Sequence, residues 1–414
     1  MMSCKYIPKD ITGIISKYYV LPKKKLISGL TLDKLYFPAL WFNKNASEYI
    51  LDHYEDMEKL MDEMTSELFW YNACNSSSKN AMHLIKKNLD KVNWDVLSRN
   101  KHAVGILEMN LDKINWKSLS SNPGAIHILE KNIDEIDWNS VCILQEAVPL
   151  IEKNLDKLDK RCWSSLSGNP GAIHILEKNL DKVNWSNLSG NENAISILEN
   201  NIGKVNWHIL SSNKRAVPLL EKHLNKVSWS ALSSNENAIN ILEKNLRKID
   251  WVKFSENKNA LYLLEKHLDR VVDKVDWYFL SLKENALHLL EKHLDKVDWS
   301  ALSENKNAVH ILENNLDKID IVSLCGNSNA YNLIEKNIKR ILDHEESIYC
   351  FQEMASNRNR EVISLFLKHY DEFVENEDIC NALTCNSFIF EDDLLDYKNR
   401  VSRLSSIFSY KLRN

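Results

Sequence analysis

The chain has 414 residues, of which 44% are hydrophobic and 27% charged, with a formal net charge of -5 and only 9 Gly and 7 Pro. That length suffices for a sizeable core, the scarcity of Gly and Pro excludes a linker-rich or low-complexity chain, and the acidic balance argues against a basic nucleic-acid footprint. No apolar run approaches the roughly 18 residues that a membrane-spanning helix needs.

The N-terminal stretch "MMSCKYIPKDITGIISKYYV" lacks the apolar run of a secretory signal, so an intracellular protein is expected. Further on, "YFPALWFNKNASEYILDHY" holds Phe37, Leu40, Asn43 and Ala46 at spacings that recur downstream. The charged segment "EDMEKLMDEMTSELF" that follows reads as a helix. Residues 1–69 are therefore read as a divergent N-terminal helical cap.

From Trp70 the chain becomes periodic. Tryptophans stand at 70, 94, 116, 138, 163, 185, 207, 229, 251, 277 and 299, with most steps equal to 22, and one further step lands on Ile321. Eleven of the twelve Trp belong to this series, so the period belongs to the architecture. With the Trp as position zero, position +9 is Ala in all eleven repeats from 94 to 321, from Ala103 to Ala330. Positions +12, +13 and +17 are apolar, as in Ile197, Leu198 and Ile202, which draws one stripe with +9 along a helix.

Polar residues mark the boundaries. The residue before the Trp is Asn, Asp or Ser in ten of eleven repeats, Cys162 being the exception. This is an N-cap opening a short helix that carries the Trp. Position +6 is Asn in nine repeats, twice followed by Pro (Pro123 and Pro170), which predicts a second cap and a helix from about +7 to +15. Position +16 is Asn in eight repeats and His in three (His223, His267, His293), residue types that tolerate a left-handed helix end. Each helix alone is too short to be stable in water and must pack on its neighbours. The expected fold is therefore all-α: an α-solenoid of about twelve 22-residue helix–turn–helix repeats over 70–342, with divergent ends. Residues 343–414 lose the Ala and Trp and are read as a degenerate C-terminal cap. Insertions at 71–78, 158–162 and 270–274 break the period.

In this reading Trp94, Trp116, Trp138, Trp163, Trp185, Trp207, Trp229, Trp251, Trp277 and Trp299 form the repeat core and seal the seams between repeats. Function is sought at the variable positions. His83, His127, His174, His288 and His310 recur at one of them and are read as exposed polar residues. The repeat at Trp277 is unusually apolar there, so Tyr262, Tyr278, Phe279 and Leu282 are the candidate partner-binding residues. The eight Cys are scattered without a Cys-x-x-Cys pair, which fits free thiols and predicts no zinc site. No phosphate-cradling Gly loop, His-Glu-x-x-His or Gly-x-Ser-x-Gly motif occurs, so no catalytic or cofactor residue is expected.

The near copies "LSSNPGAIHILEKNLDKVNW", "LSGNPGAIHILEKNLDKVNW" and "LSENKNAVHILENNLDKIDI" resemble the tandem repeats of proteins from giant DNA viruses of the mimivirus kind, over about residues 70–342. The resemblance implies a viral protein made in an infected host cell; it transfers no catalytic or binding residue. The segment "IPKDITGIISKYY", residues 7–19, is similar to an F-box, although "VLPKKKLISGLTLDKLYF" after it departs from that pattern. The expected function is a non-enzymatic scaffold that binds an as yet unidentified protein partner, possibly of the host. The alternatives are a modular nucleic-acid reader and a structural virion or assembly component.

Overall fold

The computed structural model describes residues 24–26, 32, 35–344, 346–369, 377–386 and 389–392. The F-box-like segment 7–19 lies outside the described residues. The described chain is mostly helical, in many short helices arranged in tandem. Its only strands, Lys24–Leu26 and Phe390–Asp392, pair antiparallel. The chain divides into two compact units: residues 1–87 with 351–414, and residues 88–350. Both terminal segments thus belong to one unit.

In the second unit each repeat is built from two short helices, and those at Trp94, Trp116, Trp138, Trp185 and Trp229 add a 3-10 turn. The repeat at Trp185 has a helix Trp185–Gly190, a second helix Ile195–Asn200 and a 3-10 turn Ile202–Lys204. The first helix opens as its sequence indicates, with the Asn184 side chain accepting the N–H of Asn187. The second helix is shorter than the spacing predicts and starts three residues later. Its N-cap is Ala194, which has no side-chain cap. Asn191 does not cap it, because that side chain is committed elsewhere: its oxygen accepts the Asn193 N–H in a local turn, and its amide nitrogen reaches the preceding repeat. Only before the Pro123–Gly124 pair does the Asn at this position, Asn122, cap a short 3-10 helix.

The Asn at +16 also departs from expectation. Asn201 has φ -128° and ψ 42°, not a left-handed conformation. Its side-chain amide donates to the Ile197 carbonyl at 2.9 Å, satisfying an orphan group at the helix end. Asn110, Asn132 and Asn245 do the same four residues back. In two of the three repeats where His replaces Asn, the ring lies against the Trp of its own repeat, 5.4 Å from Trp207 for His223 and 5.6 Å from Trp277 for His293.

Two buried polar positions join successive repeats. The Ser at +4 donates its hydroxyl to its own Trp carbonyl and accepts the backbone N–H that opens the next repeat. Ser211 bonds Trp207 at 2.7 Å and accepts from Ser228 at 3.0 Å. Position +6 contributes the second link. The Asn235 amide donates to the carbonyls of Ser211 and Asn213 in the preceding repeat, at 3.0 and 3.2 Å. Buried polar groups need partners, and here each buried amide and hydroxyl fixes the register of two repeats at once.

The apolar core lies around these bonds. Leu188, Ala194, Ile197 and Leu198 are buried, as are their equivalents along the unit. Position +17 lies at the margin of the core: it is half-buried in most repeats and buried at Leu268, where the helix is longer, but Leu111 and Leu316 are 44% and 46% exposed. Its place is taken by the residue at +20, such as Val205 or Ile249, which is buried. The tryptophans are placed at the edge rather than the centre of the seam. Trp163 and Trp251 are buried, but Trp94, Trp116, Trp138, Trp185, Trp207, Trp229, Trp277 and Trp299 are half-buried. A Lys nitrogen lies over the ring of Trp94, Trp163, Trp185, Trp207 and Trp299, at 4.9–5.4 Å from the centroid.

The first unit reuses the same bonds between the two ends of the chain. Tyr36, just before the helical turn Phe37–Phe42, donates its N–H to the Thr384 hydroxyl at 3.0 Å. The Asn43 amide donates to the carbonyls of Thr384 and Asn386 at 2.9 and 2.8 Å. Asn386 in turn donates to Ala355 and Asn357 at 2.8 and 2.6 Å. The N-terminal repeat therefore packs on the C-terminal one as its successor would.

Candidate interaction surface

The face of each second helix is charged, and its charges are spent across neighbouring repeats. Lys222 meets Glu199 at 2.6 Å, Lys244 meets Glu221 at 3.3 Å and Lys266 meets Glu243 at 3.1 Å. The recurrent His residues join the same ladder. His127 contacts Glu108 at 2.7 Å, His288 contacts Glu265 at 3.0 Å and His310 contacts Glu291 at 2.9 Å. These pairs are exposed, so each adds little to stability, but they occupy the charges that a partner would otherwise meet.

The insertion at 270–274 changes this pattern. It lengthens the second helix of its repeat to Leu261–Val271, eleven residues against the usual four to six. Beside it lies a groove of about 990 Å³, lined by residues 243–252 and by 267, 270, 271 and 273–275. Its carboxylates are engaged: Glu243 with Lys266, Asp273 with Lys296 at 3.0 Å, and Asp250 with the Lys253 N–H and the Ser230 hydroxyl. Its exposed cations Arg247, Lys248, Arg270 and Lys274 have no ion-pair partner among the described residues. The groove thus offers four free positive charges. His267 adds a buried ring nitrogen, Nε2, with no hydrogen-bond partner among the described residues. Trp251 is buried at this groove, edge-on to Phe254 at 5.6 Å. Nothing in the sequence reading singled out this groove; the insertion and the cations around it were its only signal.

The sequence-derived partner residues divide by exposure. Tyr262 and Tyr278 are 57% and 46% exposed, and neighbouring Val252 is 46% exposed. Phe279 and Leu282 are half-buried. The Tyr278 and Phe279 rings meet edge-on at 5.4 Å, so Phe279 supports Tyr278 from beneath. Tyr262 lies on the second-helix face under the Lys266 ammonium at 5.6 Å. No ring contact brings Tyr262 and Tyr278 together among the described residues. No group of three or more His, Cys, Asp or Glu side chains forms a metal cluster among the described residues, and no helix there is long and apolar enough to cross a membrane.

No family model, curated protein or solved structure matches the chain.

Proposed function

We propose that this chain is an α-solenoid scaffold without catalytic function, which binds a protein partner by taking an acidic segment into the groove beside helix Leu261–Val271. One observation carries this reading: Arg247, Lys248, Arg270 and Lys274 stand unpaired around the groove while its carboxylates are already bonded. Unpaired cations that converge on a concavity attract a complementary negative segment and speed its encounter. Exposed Val252, Tyr262 and Tyr278 supply apolar anchors in the same and the next repeat. The fixed Ala at +9 and the apolar residues at +12 and +13 are buried, while variable residues such as Val252, Tyr262 and Tyr278 are exposed, which suits an extended recognition face. The resemblance to giant-virus repeat proteins makes this a viral protein acting in the infected host cell.

The test is fluorescence polarisation with labelled acidic, neutral and basic peptides, against the wild type and Arg247→Glu/Arg270→Glu. Selective binding of the acidic peptide, weakened tenfold or more by the double variant with helix content unchanged, supports the reading. Equal binding of all three peptides, or no effect of the variant, overturns it.

A second reading has its own observation. The Lys-covered tryptophans form a stripe of cations and indoles at a fixed repeat position, the pattern that a modular nucleic-acid reader would use. An acidic residue precedes the Lys in several of these repeats, as with Asp112, Asp181 and Asp317, which opposes the attraction that a phosphate would feel. A gel shift with random RNA that weakens steeply with salt would favour this second reading over the first.

A further inference from the structure

Of the eleven repeats from 94 to 321, nine carry Ser at +4 and two carry Cys, Cys142 and Cys325. In those same two seams the residue just ahead of the next repeat is also Cys, Cys162 and Cys350. Elsewhere that residue is Asn, Asp or Ser. The backbone explains why the polar pair is dispensable here. In both cases the following helix starts upstream of its usual first residue, as Lys160–Gly168 and Ser347–Ser356. The Cys162 N–H is satisfied by Asp159 Oδ1 at 2.8 Å, and the Cys350 N–H by the Glu346 carbonyl at 3.3 Å. Neither needs the hydroxyl that Ser211 gives Ser228. The seam is left with two side chains facing one another, and both are thiols. All four side chains are buried. Cys142 with Cys162, and Cys325 with Cys350, occupy the two seam positions that Ser211 and Ser228 bring within 3.0 Å of one another, and the Cys162 thiol also donates to Asn139 Oδ1 at 3.5 Å.

We propose that Cys142–Cys162 and Cys325–Cys350 are disulfide-forming pairs, each a modification site that staples two successive repeats covalently. Apolar filling alone would explain one Cys in a seam, but not the same pairing in two seams at the same repeat positions. The oxidant is a small disulfide of the glutathione class. One protein thiolate attacks a sulfur of that disulfide, forming a mixed disulfide and releasing one small thiol. The second protein thiolate attacks the protein-side sulfur and releases the other. The two protons lost by the protein thiols end on the two released thiols, and the small disulfide takes both electrons. The two pairs differ in readiness. Burial pushes the Cys142 and Cys162 thiols up, whereas the hydrogen bond from Cys325 holds Cys350 below the usual thiol range.

Because the thiols are buried, the test refolds the denatured, reduced full chain in a buffer of reduced and oxidised glutathione. Remaining thiols are then alkylated, and the peptides mapped without reduction by mass spectrometry. The expected result is two linked peptide pairs, 142 with 162 and 325 with 350, each at least tenfold more abundant than any other Cys pairing. Cys142→Ser and Cys325→Ser should each erase one link and leave the fold intact, because Ser is the repeat's own residue there. Full alkylation of all four thiols, or a statistical mixture of pairings, overturns the proposal.

Discussion

The backbone N–H of Tyr36 donates to the hydroxyl of Thr384 at 3.0 Å, across 348 residues of sequence. It is the same bond that Ser228 makes to Ser211 over 17 residues. A link that elsewhere joins neighbours in sequence here joins the two ends of the chain within one unit. Thr384→Val keeps the shape and removes the acceptor, leaving a part-buried N–H unmet at a cost of about 1–2 kcal/mol. The expected outcome is faster amide exchange at Tyr36 and through Phe37–Phe42, measured by hydrogen–deuterium exchange, with no change in the repeats from 116 to 300. Unchanged exchange at Tyr36 would mean that the hydroxyl does not hold the N-terminal segment.

This arrangement also shows what the sequence makes legible. The period, the buried Ala at +9 and the N-cap before most of the Trp can be read from residue identity, because each is a local requirement repeated many times, although Asp137 and Ser228 make no side-chain cap and the helix that carries Trp163 opens at Asp159 instead. The helix ends were harder. Asn suits a helix start, a helix end and a turn equally well, so Asn191 and Asn201 were read as helix signals when their amides serve the preceding repeat and the local carbonyl. The recurrence of the tryptophans places them in the seams between repeats but does not show how deeply. Their covering Lys sits nineteen residues on, as Lys204 does for Trp185, beyond any local pattern. The partnership of residues 36–43 with 384–386 left no periodic trace, because each end carries only one copy of the motif. The groove was invisible for a related reason: it depends on which charges are already paired, and pairing runs between repeats.

The Asn235 side chain makes three hydrogen bonds, to the carbonyls of Ser211 and Asn213 and from the N–H of Asn237. Asn235→Ala leaves these groups buried and unmet, with an expected loss of about 2–4 kcal/mol. Asn237→Ala is the control: its one outward bond, to the Lys214 carbonyl at 3.1 Å, is exposed and is expected to be worth no more than about 0.5 kcal/mol. Urea unfolding followed by circular dichroism measures both. Similar losses in the two variants would remove the buried amide as the element that sets register.

At the repeat that begins at Trp277, Lys283 stands where most repeats have Asn. Its ammonium donates to the Asn257 carbonyl at 3.1 Å, taking over one of the bonds that an amide would make. Burial holds its pKa below the usual lysine value, so the folded state disfavours the charge. The folded chain therefore gives up this proton before the unfolded chain does, and stability rises as pH climbs through the interval between the lowered value and about 10.4. Lys283→Asn restores the common residue and is expected to stabilise the protein at pH 7 by about 1 kcal/mol. It should also flatten the alkaline side of the stability curve. A lower melting temperature for the variant would show that the Lys side chain supports this seam better than the amide.

Acid should act in the opposite sense, through carboxylates held below their usual range. Glu199 is lowered by its hydrogen bond from Lys222, Glu236 by that from Lys214, and Asp159 by the backbone N–H of Cys162. Each folded pKa lies below the unfolded value, about 3.9 for Asp and 4.3 for Glu. The stabilisation they give is then complete above the unfolded values and is lost as pH falls through the folded ones. Stability from these groups should be flat between about pH 7 and 5 and decline below about pH 4. Glu199 and Asp159 are solvent-exposed and Glu236 is half-buried, so salt should blunt the contributions of the two Glu–Lys pairs, that of Glu199 most. The Asp159 contribution should resist salt, because it is a cap on the backbone at the head of Lys160–Gly168 rather than an ion pair. Urea midpoints measured from pH 7 to 3, at low and high salt, separate the two. Glu199→Gln/Glu236→Gln should shallow the acid limb only at low salt, and Asp159→Asn at both. If Asp159→Asn leaves the limb unchanged, the cap is not what anchors the extended helix that carries Cys162.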